Sequence, residues 1–355
     1  MTSAAAEDVN EQLGAFLEHM RKINASDLYL VGGHPPVFRV DEVSYPARGP
    51  LEGDEVASMA GSLMSASQRE TADLASDMTV TFAWSEDRFR ASIFFQRGSL
   101  GMVVRRVSPL KTLDQLRHSP ELRKLALIAR GLVLVVGAKR SGRSSTIAAL
   151  IDHRNTSQPG HILTIEDPIE HVHAHKQCLV TQRELGSDTA SYATALRAAP
   201  GLAPDLIFVD EIRDAETMDA VLGLADAGYA CLTTLHADTA CGAVERITNF
   251  FPAARHAELR ARLAQSLRAV IAQRLVPGPT EGRVVAAELL LDTPANRDFI
   301  RRGDIDMLAR TLEQEAKQRP REGGRASAVP LRLAPEAREQ SAPVVSPPGD
   351  RRSRV

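Results

Sequence analysis

Apolar residues in "VNEQLGAFLEHMRKI" recur at helical spacing, so the chain opens with an amphipathic helix. The runs "SDLYLV" and "PVFRVDEV" are β-rich and are separated by the turn-forming "GGHPP". "DEVASMAGSLMSASQRETADL" predicts a second helix. "MTVTFAW", "RFRASIFFQ" and "LGMVVRRV" then predict three more strands joined by polar or glycine turns. Together these elements make a small α+β domain over residues 1–107. "SPLKTLDQL" marks a linker, taken as residues 108–118.

The pattern changes beyond the linker. "GLVLVVG" is a continuous apolar run ending in glycine, as expected of a strand buried on both faces, and a helical pattern starts at "SSTIAALIDHRN". "HILTIED", "DLIFVDE" and "ACLTTLH" are further buried-type strands that end in polar residues and alternate with helical stretches such as "AETMDAVLGLADA". This is the α/β pattern of a mainly parallel sheet over residues 119–312, with chemistry at the C-terminal ends of the strands. Residues 313–355 are rich in Pro, Arg, Gly and Ser with little apolar periodicity, which predicts a disordered tail. Its recurring arginines leave open a basic peptide that docks on a partner.

Composition adds limits. A hydrophobic fraction of 43% supports a core in each domain, and a formal charge of −2 gives no global attraction to nucleic acid or an anionic membrane. The three cysteines, Cys178, Cys231 and Cys241, form no CxxC pair, which argues for a reducing compartment and against a disulfide framework or zinc ribbon. The N-terminus has acids where a signal peptide needs a basic flank, and no apolar run approaches a membrane span. The expectation is a soluble cytoplasmic protein without nucleic-acid partners.

Residues 137–144, "GAKRSGRS", have the spacing of a phosphate-binding loop, with Arg143 at the lysine position. In such loops glycines let backbone N–H groups face the phosphates, the helix N-terminus adds its positive end, and the Ser/Thr hydroxyl reaches Mg²⁺. The nucleotide-binding candidates are therefore Gly137, Arg140, Ser141, Gly142, Arg143, Ser144 and Ser145, with Ser144 the metal hydroxyl. Arg143 keeps the charge but is planar and directional where a compact ammonium normally fits. "TIEDPIE" places Glu166, Asp167 and Glu170 at a strand end, either as holders of Mg²⁺-bound water with a general base or as an exposed acidic turn. "PDLIFVDE" closes four apolar residues on Asp210 and Glu211, the form of a Walker B strand whose acids organise Mg²⁺ and water. In "HVHAHK" the alternating His171, His173 and His175 would share one face of a strand, either as a metal site or as a polar surface strand.

The segments "ASDLYL", "GGHPPVFRVD", "ILTIEDPIEHVHAHK", "TQRELGSDTASYATALR", "PDLIFVDEIRDAETM", "TTLHADTA" and "ERITNFFP" resemble the retraction ATPases of type IV pili. These form the twitching-motility PilT/PilU group of the secretion-ATPase superfamily. "ALIDHRN", "HVHAHKQC", "ITNFFPAARHAEL" and "IAQRLVP" lean toward the PilU branch. The resemblance implies a PAS-like N-terminal domain, a RecA-like P-loop ATPase domain and a homohexameric ring, or a ring shared with a paralogous retraction ATPase. It also implies ATP and Mg²⁺ between the domains, and an inner-membrane pilus platform protein as partner, with the ATPase peripheral at the cytoplasmic face. It makes Glu170 the catalytic carboxylate of an Asp box that includes Glu166, Glu211 the Walker B acid that meets Mg²⁺ with Ser144, and His236 the γ-phosphate sensor of the His box. Arg88, Arg90 and Arg105 stand where the family presents arginines to the phosphates; taken alone they read as a solvated strand face.

Several departures from the family pattern sit in the site. Arg140 replaces a glycine and Arg143 the lysine, Asp210 replaces the glycine before the Walker B acid, Tyr229 replaces a histidine, and Pro200 with Gly201 interrupts a helix. Two readings stay open: an accessory ring motor that hydrolyses ATP, and a subunit that binds nucleotide without turnover and docks on an active motor. A secretion or pilus-extension ATPase is disfavoured, because those relatives carry a four-cysteine zinc insertion that this chain lacks.

Overall fold

The computed structural model describes residues 10–318 except 41–42, 48, 65–76, 86, 108–109, 117 and 278–282. The chain divides into two compact units, Met1–Pro109 and Leu110–Val355.

In the first unit, α1 (Glu11–Lys22) begins at Asn10, whose side-chain oxygen accepts from the Gln12 and Leu13 N–H groups, and its apolar stripe buries Leu13, Leu17 and Met20. After β1 (Asp27–Val31), β2 (Val37–Val40) and β3 (Val43–Pro46) comes α2 (Gly53–Leu63), opened by a reciprocal Glu52/Glu55 capping box. The helix expected over "DEVASMAGSLMSASQRETADL" thus spans its first part, and residues 65–76 lie outside the described residues. Strands β4 (Met78–Trp84), β5 (Asp87–Gln96) and β6 (Ser99–Val107) complete an antiparallel sheet in the order β3-β2-β1-β6-β5-β4. Alternation along β5 sends Phe89, Ala91 and Ile93 into the core with Leu28, Leu30, Phe82 and Met102. A fully buried Leu or Phe of this kind contributes about 1.5–3 kcal/mol.

The second unit starts with α3 (Glu121–Ala126), β7 (Gly131–Val136), α4 (Arg143–Ser157), β8 (Gly160–Glu166) and β9 (Cys178–Glu184). It continues with α5 (Tyr192–Ala198), β10 (Leu206–Val209), α6 (Ala215–Asp226), β11 (Ala230–Leu235) and α7 (Ala240–Asn249). Then follow α8 (His256–Ser266), β12 (Leu267–Pro277), β13 (Arg283–Leu291), α9 (Pro294–Arg302) and α10 (Ile305–Gln318). The sheet order is β13-β12-β7-β11-β10-β8-β9, parallel from β12 to β9 with β13 antiparallel at the edge. This is the RecA-like layered α/β arrangement.

Every residue of β7 is buried because both sheet faces are covered. Leu132, Leu134 and Val136 pack in the layer of α6, α7 and α8, and Val133 and Val135 pack in the layer of α3 and α4. Pro200 stops α5 at Ala198, because a proline ring clashes with the carbonyl four residues back; a 3₁₀ turn over Ala199–Leu202 follows.

Within the stretch taken as linker, Leu113 is 4% exposed in the core of the second unit. The His118 ring nitrogen lies 2.8 Å from the Thr146 hydroxyl on α4. At the other end, residues 313–318, grouped with the tail by composition, continue α10, whose Leu308 and Leu312 are buried. The rest of the tail lies outside the described residues. No helix among the described residues is long and apolar enough to cross a membrane.

Candidate active site

The phosphate loop joins β7 to α4, at the edge where the C-terminal ends of β7, β8, β10 and β11 meet. A Cβ at Gly137 would stand 2.4 Å from the Gln273 carbonyl and 2.4 Å from the Ser141 hydroxyl, so only glycine lets the chain pass. Gly142, at φ +88°, is the N-cap of α4 and makes no side-chain capping bond. The first-turn N–H groups, including those of Ser144 and Ser145, therefore point at the loop as donors without a side-chain cap. Ser141 is buried, its hydroxyl has no partner, and its carbonyl accepts from Gln273 Nε2 at 2.9 Å. Arg140 adopts φ +64°, a left-handed conformation that disfavours a side chain.

Arg143 is where this loop differs from a lysine loop. One terminal nitrogen lies 3.4 Å from His236 Nε2, and the other is buried without a partner. Burial pulls the Arg143 pKa down, opposed by the charges of Glu211, Asp210 and Glu170. The guanidinium thus stands among the acids of the site and keeps an unused donor.

The acids fall into two groups. Glu211 meets His236 Nε2 at 2.8 Å and Arg213 at 3.5 Å, and its backbone N–H donates to Asp210 Oδ1 at 2.8 Å. Asp210, Glu166, Glu170 and Thr234 line a cleft with Ser144 at the start of α4. Asp210 lines the cleft wall beside Ser144. The Asp210 pKa is raised by burial and by its acidic neighbours, with bonds from the Glu211 N–H and Thr234 acting the other way. Burial pushes Glu166 up to about 7, against hydrogen bonds from Thr164 (2.6 Å) and Gln182 (3.0 Å). The site can therefore hold a carboxylate, Glu166, that accepts a proton near neutrality.

The alternating histidines do not form a strand. Residues 171–177 run as an irregular loop, because β8 already pairs with β9, which begins only at Cys178. His173 is buried and pushed down to about 4 by burial, whereas His175 is exposed and accepts the Val180 N–H. Among the described residues no cluster of His, Cys, Asp and Glu is arranged to hold a metal.

In the first unit, Arg90 on β5 lies directly opposite Arg105 on β6, and Arg105 opposite Asp27 on β1, which in turn opposes Arg39 on β2. Arg88 is two residues along the same face of β5 from Arg90. Arg105 Nε bonds the nearly buried Asp27 at 2.7 Å, so part of its role is to neutralise that carboxylate. Like charges directly opposite each other destabilise a sheet, and Asp27 offsets part of that here. Sequence reading did not single out Arg39, Gln182 or Gln273. The motifs "TQRELG" and "IAQRLVP" contained the last two, without a signal for what their amides touch.

A family model for "Type II/IV secretion system protein" matches residues 105–281. The type IV pilus ATPase PilU of Pseudomonas aeruginosa is 42% identical over 308 residues, which span 85% of this chain and 80% of that protein. The retraction ATPase PilT of the same organism is 38% identical over 297 residues, 82% of this chain and 86% of that protein. The crystal structure of the pilus retraction motor PilT with bound ADP superposes with a TM-score of 0.79 at 36% identity, covering 85% of this chain and 89% of that one. With the phosphate loop, the acids and His236 assembled on one sheet edge, these matches make the chain a member of the type IV pilus retraction ATPases, the PilT/PilU group of the secretion ATPases.

Proposed function

We propose that this chain is an ATP-binding ring subunit of the machinery that retracts type IV pili, working as an accessory motor at the cytoplasmic face of the inner membrane. The observation that carries the reading is the uncapped N-terminus of α4 behind a glycine cradle, facing Glu170, Glu211 and His236. In this reading Gly142, Ser144 and Ser145 offer backbone N–H groups to a triphosphate over the turn made by Gly137, Ser141 offers its hydroxyl, and Arg140 and Arg143 add cationic charge. The unpartnered Arg143 nitrogen and the unpartnered Ser141 hydroxyl fit such an anion. Ser144 and Glu211 would hold Mg²⁺, directly or through water, and the ion would offset the charge on the β- and γ-phosphates. Glu170 takes the proton of the attacking water, Glu166 supports it as a second proton acceptor, and His236 reads the γ-phosphate through Glu211. Arg88, Arg90 and Arg105 add further cationic charge for the nucleotide phosphates. The assembly is a homohexamer, or a ring completed by a paralogous retraction ATPase, and its membrane partner is the pilus platform protein.

A second reading, a subunit that binds nucleotide without turnover and works by docking on an active retraction ATPase, is favoured by the position of Arg143 beside His236 and Glu211. Loss of γ-phosphate alignment by a few kcal/mol would cost several powers of ten in rate. Phosphate release by the purified chain, alone and with an active retraction ATPase, together with titration of a fluorescent ATP analogue, separates the two. Turnover by the chain alone supports the motor, binding without turnover supports the docking subunit, and absence of binding overturns both.

A further inference from the structure

Residues 167–177 connect two parallel neighbours, β8 and β9, without a helix, so the backbone groups of the connection need partners from elsewhere. Side chains of β9 and α4 supply them. The Ile169 N–H donates to Glu184 Oε2 at 3.0 Å. Gln182 Nε2 donates to the His171 carbonyl at 2.9 Å and to Glu166 Oε1 at 3.0 Å, while Gln182 Oε1 accepts the His173 N–H at 2.8 Å. On the far half, Asn155 of α4 donates to the Ala174 carbonyl at 2.7 Å and accepts the Lys176 N–H at 3.2 Å.

The spacing gives this arrangement its consequence. Gln182 and Glu184 are two apart on β9 and so share a face with the buried Val180. They grip residues 169 and 171, the two neighbours of Glu170. Every polar atom of the Gln182 amide is used, and its orientation is fixed, because a flip would set its oxygen against the Glu166 carboxylate and the His171 carbonyl. We propose that Gln182, with Glu184, is the positioning residue of Glu170: the edge strand β9 sets where that carboxylate stands in the cleft beside Ser144. This rests on the reading of Glu170 as the proton-accepting carboxylate. Both side chains act through the loop backbone, so nucleotide binding at α4 is left in place.

The test uses the full chain with Gln182→Leu, Glu184→Ala, Glu170→Gln and the Gln182→Leu/Glu170→Gln double variant. Phosphate release is measured with ATP, affinity by titration of a fluorescent ATP analogue, and amide hydrogen exchange over 167–177 by mass spectrometry. Gln182→Leu is expected to lower kcat about a hundredfold while affinity changes less than about twofold. Added to Glu170→Gln it is expected to lower kcat far less than in the wild-type background, since the part that acts through Glu170 is already lost and only the bond to Glu166 remains. A general loss of folded enzyme would lower the two backgrounds equally, and that additive result overturns the proposal, as does an unchanged kcat in both Gln182→Leu and Glu184→Ala. If the wild type releases no phosphate, hydrolysis fails as a reading but positioning is still decided by exchange. Protection lost within 167–177 and kept along α4 upholds it, and unchanged protection in both variants overturns it.

Discussion

His236 Nε2 stands 2.8 Å from Glu211 Oε1, and the same nitrogen is 3.4 Å from a terminal nitrogen of Arg143. A neutral imidazole has one N–H, so Nε2 either donates to Glu211 or accepts from Arg143, according to the tautomer. Burial and then Arg143 lower the His236 pKa, with Glu211 and a hydrogen bond to the Gly137 backbone opposing. The ring thus ties Gly137, at the start of the loop between β7 and α4, to Glu211. His236→Ala is expected to lower kcat by about ten- to a hundredfold with nucleotide affinity changed less than about threefold, and His236→Gln to recover part of the loss. Phosphate release and nucleotide titration read both quantities; an equal fall in both would reduce His236 to a structural side chain.

Arg140→Gly removes a side chain from a left-handed backbone position at φ +64°. The relief is about 1 kcal/mol, part of it offset by the added freedom of the unfolded chain. A higher urea midpoint with an unchanged slope is the expected outcome. Arg143→Lys withdraws the guanidinium from Glu211 and His236 and restores a compact ammonium. The Arg140→Gly/Arg143→Lys pair is therefore expected to raise phosphate release above wild type. No gain would move the fault to the break at Pro200, where α5 gives way to a 3₁₀ turn.

Two buried histidines of the second unit oppose folding at acid pH. Burial pushes His118 and His173 down to about 4, from 6.5 in the unfolded chain. Above pH 6.5 both states hold the rings neutral, and as pH falls toward 4 the unfolded chain takes up protons that the folded one refuses. Each ring therefore contributes a loss of stability on acidification through that window, about 2 kcal/mol between pH 7 and pH 5 as an upper bound, and Glu166, raised to about 7, contributes in the opposite sense. His118→Gln, which keeps a donor toward Thr146, is expected to flatten the curve of urea stability against pH. An equal slope in the variant would show that His118 does not control it.

What could be read in advance and what could not differ in range. The buried run of β7, the loop "GAKRSGRS" and the strand ends at Glu166 and Asp210 are local patterns, and each predicted element is found in place. Gln273 braces the loop from 132 residues away, and nothing local distinguishes its amide from any other on a buried strand. The histidine alternation misleads for a related reason. Period-2 spacing is satisfied by a strand, but pairing also needs an open neighbour, and β9 had taken that place beside β8. Arg143 was visible as a departure from lysine, whereas its approach to Glu211 and His236 depends on three strand ends meeting.

The arginines of the first unit have separable duties. Arg105 is bonded to Asp27 at 2.7 Å, and Asp27 also accepts from Ser26 at 2.8 Å, so the carboxylate is nearly buried and needs its cation. Removing one partner of a buried charge leaves the other uncompensated, which costs more than an exposed pair ever contributes. Arg105→Ala is therefore expected to lower the stability of the first unit whether or not nucleotide is present. Arg90 lies opposite Arg105, and its Nε is buried without a partner. Arg90→Ala relieves like-charge repulsion and should leave stability equal or slightly higher. If this face meets phosphates, Arg90→Ala weakens binding of a fluorescent ATP analogue and lowers the oligomerisation that a non-hydrolysable analogue with Mg²⁺ promotes, as read by light scattering. Thermal unfolding and light scattering on the two variants decide it: destabilisation by Arg105→Ala alone, with nucleotide response lost in Arg90→Ala, assigns one arginine to the fold and the other to the ligand. An intact nucleotide response in Arg90→Ala would return this row of charges to a solvated strand face.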